Sequence, residues 1–367
     1  MPLYIRLIQY VRRGLLSLLG YSVPCQCIRS RSLSNLKTGY LLMDYIAEED
    51  GVMLSESWEE MRHDTARRSN LFTGLSKIML SLSRIPLPRI GSFTINNDGV
   101  LSLTNRPLTL RLRQLENEGI PSNLDRKSTY TTVEPYLLDL LALHDSRLRY
   151  QPNALNDAAD CQSQMAALTG MRAVLHHFYS RKLRHGPFFF TLTDMHQSNV
   201  FVDADWYVKY VIDLEWACSL PIEMQHPPHW LTDRHVDQLD GEYLSAFNEI
   251  REEFMIAFER EERALSPTKQ HPPLRTQTMQ QGWETGLFFY FHALDSTVGL
   301  FTLFWQHVQP KFARSHALDT AFEGIFAPYW GLQADDFISI KVEEKASYDG
   351  RLQHIFENGA EKPSKGV

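Results

Sequence analysis

Thr191-Leu192-Thr193-Asp194-Met195-His196-Gln197-Ser198-Asn199-Val200-Phe201-Val202-Asp203 is the stretch on which the fold turns. Ahead of it, Gly186-Pro187 closes a helical region, and the apolar run 188–192 reads as a strand. Behind it lie two more short apolar runs, 200–202 and 208–212, with Asp203-Ala204-Asp205-Trp206 as the turn between them. The order is therefore strand, polar loop, hairpin, and then Asp213-Leu214-Glu215 where the hairpin ends.

That order carries a chemical meaning. Phosphoryl transfer needs a carboxylate to receive or orient the proton of the attacking hydroxyl. It also needs an amide oxygen and a second carboxylate to hold Mg²⁺ against the nucleotide phosphates. Asp194 and Asn199 have the D-x-x-x-x-N spacing of a kinase catalytic loop, and Asp213 falls where the second metal-binding carboxylate should lie. The spacing alone recurs by chance. Together with the hairpin and the apolar strand ending in Asp, it is specific.

At these residues the chain resembles the aminoglycoside phosphotransferase and choline-kinase-like family. Residues 191–203 resemble its catalytic loop, and Val211-Ile212-Asp213-Leu214-Glu215-Trp216 its metal-binding segment. Cys218-Ser219-Leu220-Pro221-Ile222-Glu223-Met224 and Pro227-Pro228-His229-Trp230-Leu231-Thr232 look like a fungal branch. A weaker likeness makes Tyr40-Leu41-Leu42-Met43-Asp44-Tyr45 the strand between two lobes. The resemblance implies an α+β, protein-kinase-like fold with a reduced N-terminal lobe (1–46) and a large, mostly helical C-terminal lobe (47–357), and composition makes 358–367 a polar, disordered tail. It implies ATP and Mg²⁺, with Asp194 as catalytic base, Asn199 and Asp213 as metal and nucleotide ligands, and Glu215 as a supporting carboxylate. The implied reaction moves the γ-phosphate of ATP to a hydroxyl or amine of a small molecule.

Two positions depart from the family pattern. Leu192 stands where the family carries a loop-organising His, two residues before Asp194. The 39 residues before the expected inter-lobe strand offer no lysine earlier than Lys37, and the helix expected over 3–19 has no acidic residue. The phosphate-gripping lysine and its glutamate partner are thus not found in the sequence. A non-catalytic binding or scaffold protein, or a truncated gene product, is accordingly the alternative to an active phosphotransferase.

The rest of the chain sets bounds. Its 367 residues suffice for a large core, and 43% apolar with 22% charged residues is ordinary for a globular protein. A net charge of -7 gives no basic surface for nucleic acid. Cys25, Cys27, Cys161 and Cys218 fit neither a zinc site nor a disulfide framework, so reduced thiols and a cytoplasmic location are expected. The most apolar stretch, 287–305, is interrupted by His292, Asp295, Ser296 and Thr297, which points to a buried helix rather than an integral membrane segment.

The first 43 residues hold no Asp or Glu but carry Arg6, Arg12, Arg13, Arg29, Arg31 and Lys37. With amphipathic spacing over 3–19, they suit either a first helix packed on the domain, ended by Pro24, or a mitochondrial presequence. Helical spacing also marks 70–85, 135–147, 160–181, 247–265 and a long apolar region, 280–308. Residues 39–46 read as a strand and 266–273 as a linker. Ser92-Phe93-Thr94-Ile95 and Val100-Leu101-Ser102-Leu103 flank Asn96-Asn97-Asp98-Gly99, a hairpin signal because Asp-Gly supplies positive φ. Trp283 and 288–291 are expected in the core, His196 as loop support, and Asp203 and Asp205 as turn residues.

Overall fold

Short apolar runs bounded by turns become strands, and the longer periodic runs become helices. The structure is a computed structural model that describes residues 3–25, 44–96, 98–265, 273–314 and 320–360. In chain order the elements are α1 (Leu3–Leu18), β1 (Val52–Met53), α2 (Leu54–Met61), α3 (Thr65–Leu82), β2 (Ser92–Ile95), β3 (Leu101–Asn105), α4 (Leu110–Asn117), α5 (Val133–Tyr150) and α6 (Ala158–Val174). Then follow β4 (Phe188–Leu192), β5 (Val200–Val202), β6 (Val208–Val211), β7 (Ala217–Pro221), α7 (Gly241–Leu265), α8 (Leu274–Thr285), α9 (Leu287–Asp295), α10 (Leu300–Leu303), α11 (Gln309–Ala313), α12 (Thr320–Phe326) and α13 (Ala334–Ala360). This is a mixed α+β architecture in which helices dominate.

The sheets are small and antiparallel. One has the order β1-β5-β6, and β2–β3 and β4–β7 are two-stranded. The hairpin expected at 92–103 forms, with Gly99 at φ +80° in its turn and Ile95 opposite Leu101. The hairpin after Asn199 forms too, with Val200 opposite Val211. Its turn is held by Asp203, whose carboxylate accepts the Asp205 and Tyr207 N–H groups at 3.1 and 3.0 Å. Asp203 is thus the turn residue the sequence suggested.

Helix α3 begins at Asp64, whose side chain accepts the N–H of Ala66 and Arg67 and so satisfies two end donors. It buries Leu71, Phe72 and Leu75 against α7, where Phe72 meets Phe254 edge-on at 5.7 Å. Arg68 forks onto Glu253 at 2.9 and 3.0 Å across the same interface. The opposite side of α3 reaches the site hairpin. A Cβ built on Gly74 would lie 2.7 Å from Val208 Cγ2, so only glycine lets α3 and β6 approach this closely.

Several expectations need correction. Helix α1 is ended by Gly20 at φ +72°, not by Pro24. The N–H of Gly20 bonds Ser17 and that of Tyr21 bonds Leu16, the paired bonds of a glycine-terminated helix. The apolar stripe of α1 is largely exposed rather than covered by the domain. Leu7, Ile8, Val11, Leu15 and Leu18 are each more than half exposed. The region 160–181 is helical only to Val174, then tightens into a 3-10 turn, although its expected apolar face of Met165, Leu168, Met171, Leu175 and Phe178 is buried. Ile85, placed on the stripe of α3, lies beyond the helix and is exposed.

The region 280–308 is not one helix. Gly286 at φ +82° separates α8 from α9, and α9 stops at Asp295 before a turn leads into α10. Phe288, Phe289, Tyr290 and Phe291 are buried as expected, which makes α9 a core helix. Among the described residues no helix is long and apolar enough to cross a membrane. The strand expected at 39–46 falls partly on 39–43, outside the described residues, and 44–46 form no strand. The linker at 266–272 and tail residues 361–367 also lie outside them, while α13 runs to Ala360.

Candidate functional site

The site is assembled where β4 and β7 run out together. Leu192 pairs with Ala217 in the last rung of that ladder. The next residues, Thr193 and Trp216, are joined by a bond of 2.5 Å from the Thr193 hydroxyl to the Trp216 carbonyl. This stitch fixes the start of the Asp194 loop against the segment that follows Asp213.

Within the loop the side chains of Asn199, His196 and Gln197 each make one bond that holds its shape. Asn199, buried, donates its amide N–H to the Asp194 carbonyl at 2.9 Å. The Asn199 carbonyl in turn accepts the Ile212 N–H at 3.0 Å. His196 Nδ1 accepts the Ser198 N–H at 3.3 Å, which is loop support as expected. Gln197 reaches out to donate to the Trp230 carbonyl at 3.1 Å. Loop 194–199 is therefore tied to the hairpin on one side and to segment 229–231 on the other.

A tryptophan cluster holds the hairpin from beneath. Trp206 is buried in its turn at φ +64°, a conformation rare for a bulky residue. Its indole stacks on Trp58 of α2 at 5.5 Å and 10°, and its N–H donates to Ser57 Oγ at 2.9 Å. Trp58 meets Trp230 edge-on at 5.8 Å and donates to Asp233 at 2.8 Å. Asp233 is further ion-paired with Arg62. Aromatic pairs of this kind add roughly 0.5–1.5 kcal/mol each beyond area burial, enough to maintain one left-handed residue costing about 1–2 kcal/mol.

Asp213 occupies the left-handed region, φ 56° and ψ 54°, between β6 and the 3-10 turn Leu214–Trp216. A non-glycine residue there marks local strain of the kind that gathers at functional sites. Asp194 and Asp213 together line a narrow groove floored by Thr193 and Trp216. The structure thus brings Asp194, Asn199 and Asp213 together. It does not bring in Glu215, which sits exposed on the 3-10 turn and lines neither this groove nor the neighbouring cleft.

On its other side Asp194 opens onto a cleft of about 570 Å³. Its walls include Trp58, Arg111, His196, His229, Trp230, Asp233, Arg234 and Asp295. Asp295 is half-buried, and the cleft is one of the cavities it lines. Burial raises its pKa, the nearby Asp194 charge raises it further, and Arg111 opposes both. Asp295 was legible in the sequence only as a polar break in an apolar stretch. Arg111 and Trp58 carried no sequence signal of their own, and Trp230 only one of family resemblance.

Asp194 and Asp213 line the groove, and Asn199 lies buried beside it, bonded to the Asp194 carbonyl. The Asn199 amide nitrogen is taken by Asp194, and among the described residues nothing bonds its Oδ1. With a carboxylate from Asp213 this gives two oxygen ligands of the type Mg²⁺ accepts while keeping several waters. No group of three or more His, Cys, Asp or Glu with metal-holding geometry exists among the described residues. Comparisons with protein-family models, curated proteins and solved structures give no match.

Proposed function

We propose that this chain is a kinase-like phosphotransferase that moves the γ-phosphate of ATP to a hydroxyl of a small molecule. The observation that carries it is the meeting of Asp194, Asn199 and Asp213. Asp194 and Asp213 line one groove, and Asn199 bridges them through the Asp194 carbonyl and the Ile212 N–H. Asp194 also faces the cleft, so it stands between a metal-suited groove and a space for an acceptor.

The roles follow from that placement. Asn199 and Asp213 would hold Mg²⁺, which when bound offsets the charge of the nucleotide phosphates. The Asp194 carboxylate receives the acceptor's hydroxyl proton as the hydroxyl oxygen bonds to the γ-phosphorus and the bond from phosphorus to the ADP oxygen breaks. Leu192, where the family has His, lies in the last rung of the β4–β7 ladder. The Thr193, Gln197 and Asn199 bonds organise the loop in its place.

One observation favours a second reading, a non-catalytic nucleotide or metabolite binder. Among the described residues no lysine lines the groove or the cleft, and the cations lining the cleft are Arg111 and Arg234. Calorimetric titration with MgADP, paired with release of phosphate from ATP, separates the two. The phosphotransferase should bind MgADP and release phosphate slowly to water. Asp194→Asn should keep the binding and lose the release. Binding without turnover in the parent protein selects the second reading, and absence of MgADP binding rejects both nucleotide-based readings.

A further inference from the structure

A second cavity of about 140 Å³ lies behind the cleft and shares Thr193, His229, Trp230 and Asp295 with it. Its walls are mostly apolar and include the rings of Tyr136, Phe190, Trp230 and Phe291. Three imidazoles from two parts of the chain meet there. His226 and His229 come from the segment after β7, and His292 comes from α9. The His292 ring lies 5.1 Å from that of His226 and 5.4 Å from that of His229.

None of these three side chains has a hydrogen bond among the described residues, and the Nε2 atoms of His226 and His292 are enclosed without a partner. The Asp295 carboxylate likewise has no hydrogen bond or ion pair among them. Buried polar groups are nearly always paired, so two enclosed, unpaired imidazole nitrogens beside the half-buried His229 and Asp295 call for an occupant. No lysine or arginine lines this cavity, and Arg111 meets Asp295 in the cleft and in a small neighbouring pocket instead.

We infer that this cavity binds a single uncharged ring bearing hydroxyl groups, and that this ring is the phosphoryl acceptor. Size argues for one ring, since a hole of roughly 150 Å³ takes up benzene. Flat aromatic walls favour a flat or nearly flat body. A hydroxyl both donates and accepts, so it can pair with either tautomer of each imidazole and donate to Asp295. Charge argues against an anion. Burial holds the histidines neutral, with His226 pushed down to about 3 and His229 to about 4, and Asp295 would repel a carboxylate or phosphate. The shared wall places such a hydroxyl beside the cleft that Asp194 lines.

Calling the occupant an acceptor rests on the phosphotransferase reading, whereas its binding does not. The test is therefore run on the full chain without nucleotide. Resorcinol, phenol and benzoate are titrated by calorimetry up to about 5 mM, a range that detects weak Kd values. Resorcinol and phenol should bind and benzoate should not. Asp295→Asn, nearly isosteric, should weaken resorcinol by about tenfold, and His292→Phe should abolish its binding by filling the cavity. Circular dichroism confirms folding, and Asp295→Asn decides if His292→Phe does not fold. Equal binding of benzoate, unchanged resorcinol affinity in folded Asp295→Asn, or no binding of either phenol overturns the proposal and leaves the cavity to water alone. A parallel MgADP titration keeps the two ideas apart. MgADP binding without resorcinol binding sinks the ring site and spares the phosphotransferase. Resorcinol binding without MgADP binding preserves the ring site and removes its acceptor role.

Discussion

Asn199 donates its side-chain N–H to the main-chain carbonyl of Asp194 at 2.9 Å, so one amide both shapes the loop and leaves an oxygen for a ligand. The two duties can be separated. Asn199→Ala removes both and leaves a half-buried carbonyl unpaired, at a cost of about 1–2 kcal/mol. Urea denaturation should register that loss, and MgADP titration should lose its metal-dependent part. Asn199→Asp keeps an oxygen but faces the carbonyl with a carboxylate, so its stability should fall at least as far.

Asp213 should show strain and function in opposition. Its backbone lies at φ 56° and ψ 54°, which costs an alanine about 1–2 kcal/mol and a glycine almost nothing. Asp213→Gly should therefore be more stable than Asp213→Ala by about 1 kcal/mol in urea denaturation. Both should lose metal-dependent nucleotide binding to the same degree.

The Trp58–Trp206 stack should behave as one unit. Either tryptophan to alanine should cost about 3–5 kcal/mol, as for other buried large-to-small changes. The double variant should cost clearly less than the sum, because each single change already removes the stack. A double-mutant cycle by thermal or urea denaturation measures the difference. An additive result would show that Trp206 is held by the hairpin alone.

Gly74 sets the distance between α3 and the site hairpin. Gly74→Ala puts a methyl 2.7 Å from Val208 Cγ2, and a β-branched side chain has little freedom to move aside. A loss of about 1–3 kcal/mol is expected, as for other overpacked sites. Val208→Ala in the same chain should recover much of it. The Tm values of the four proteins provide the check.

Glu223 makes stability depend on pH. It is buried, its Oε1 accepts the Ser180 N–H at 2.8 Å, and its Oε2 has no partner. Burial raises its pKa from 4.5 to about 7. Below pH 4.5 the folded and unfolded chains both hold the proton. Between 4.5 and about 7 the unfolded chain releases it first, so stability falls as pH rises, and above 7 the loss is complete. Glu223→Gln should match the parent near pH 4.5 and exceed it at pH 8 by on the order of 2 kcal/mol. Urea denaturation at both values tests the sign.

Legibility followed sequence separation. The strands at 188–192 and 200–202 formed as expected because period and turn chemistry act over a few neighbours. Asp194, Asn199 and Asp213 were readable for the same reason, since only a hairpin separates them. Two helix stops were misplaced because Gly20 and Gly286 end helices through positive φ, a choice that spacing does not reveal. Glu215 was a supporting carboxylate only as the family resemblance implied, and the 3-10 turn after Asp213 leaves it outside the groove.

The sequence by itself determined the order of strand, loop and hairpin, and with it that Asp194 and Asp213 line one groove while Asn199 ties the Asp194 carbonyl to Ile212. Only the tertiary structure decided that Trp58 underlies Trp206, across 148 positions of chain (206 minus 58), and that Asp295 and three unpaired imidazoles form a second cavity beside Asp194. Nor could the sequence decide that the apolar stripe of α1 faces outward. Local periodicity fixes which face of an element is apolar. What covers that face, or fails to, depends on elements distant in sequence whose packing no local pattern encodes.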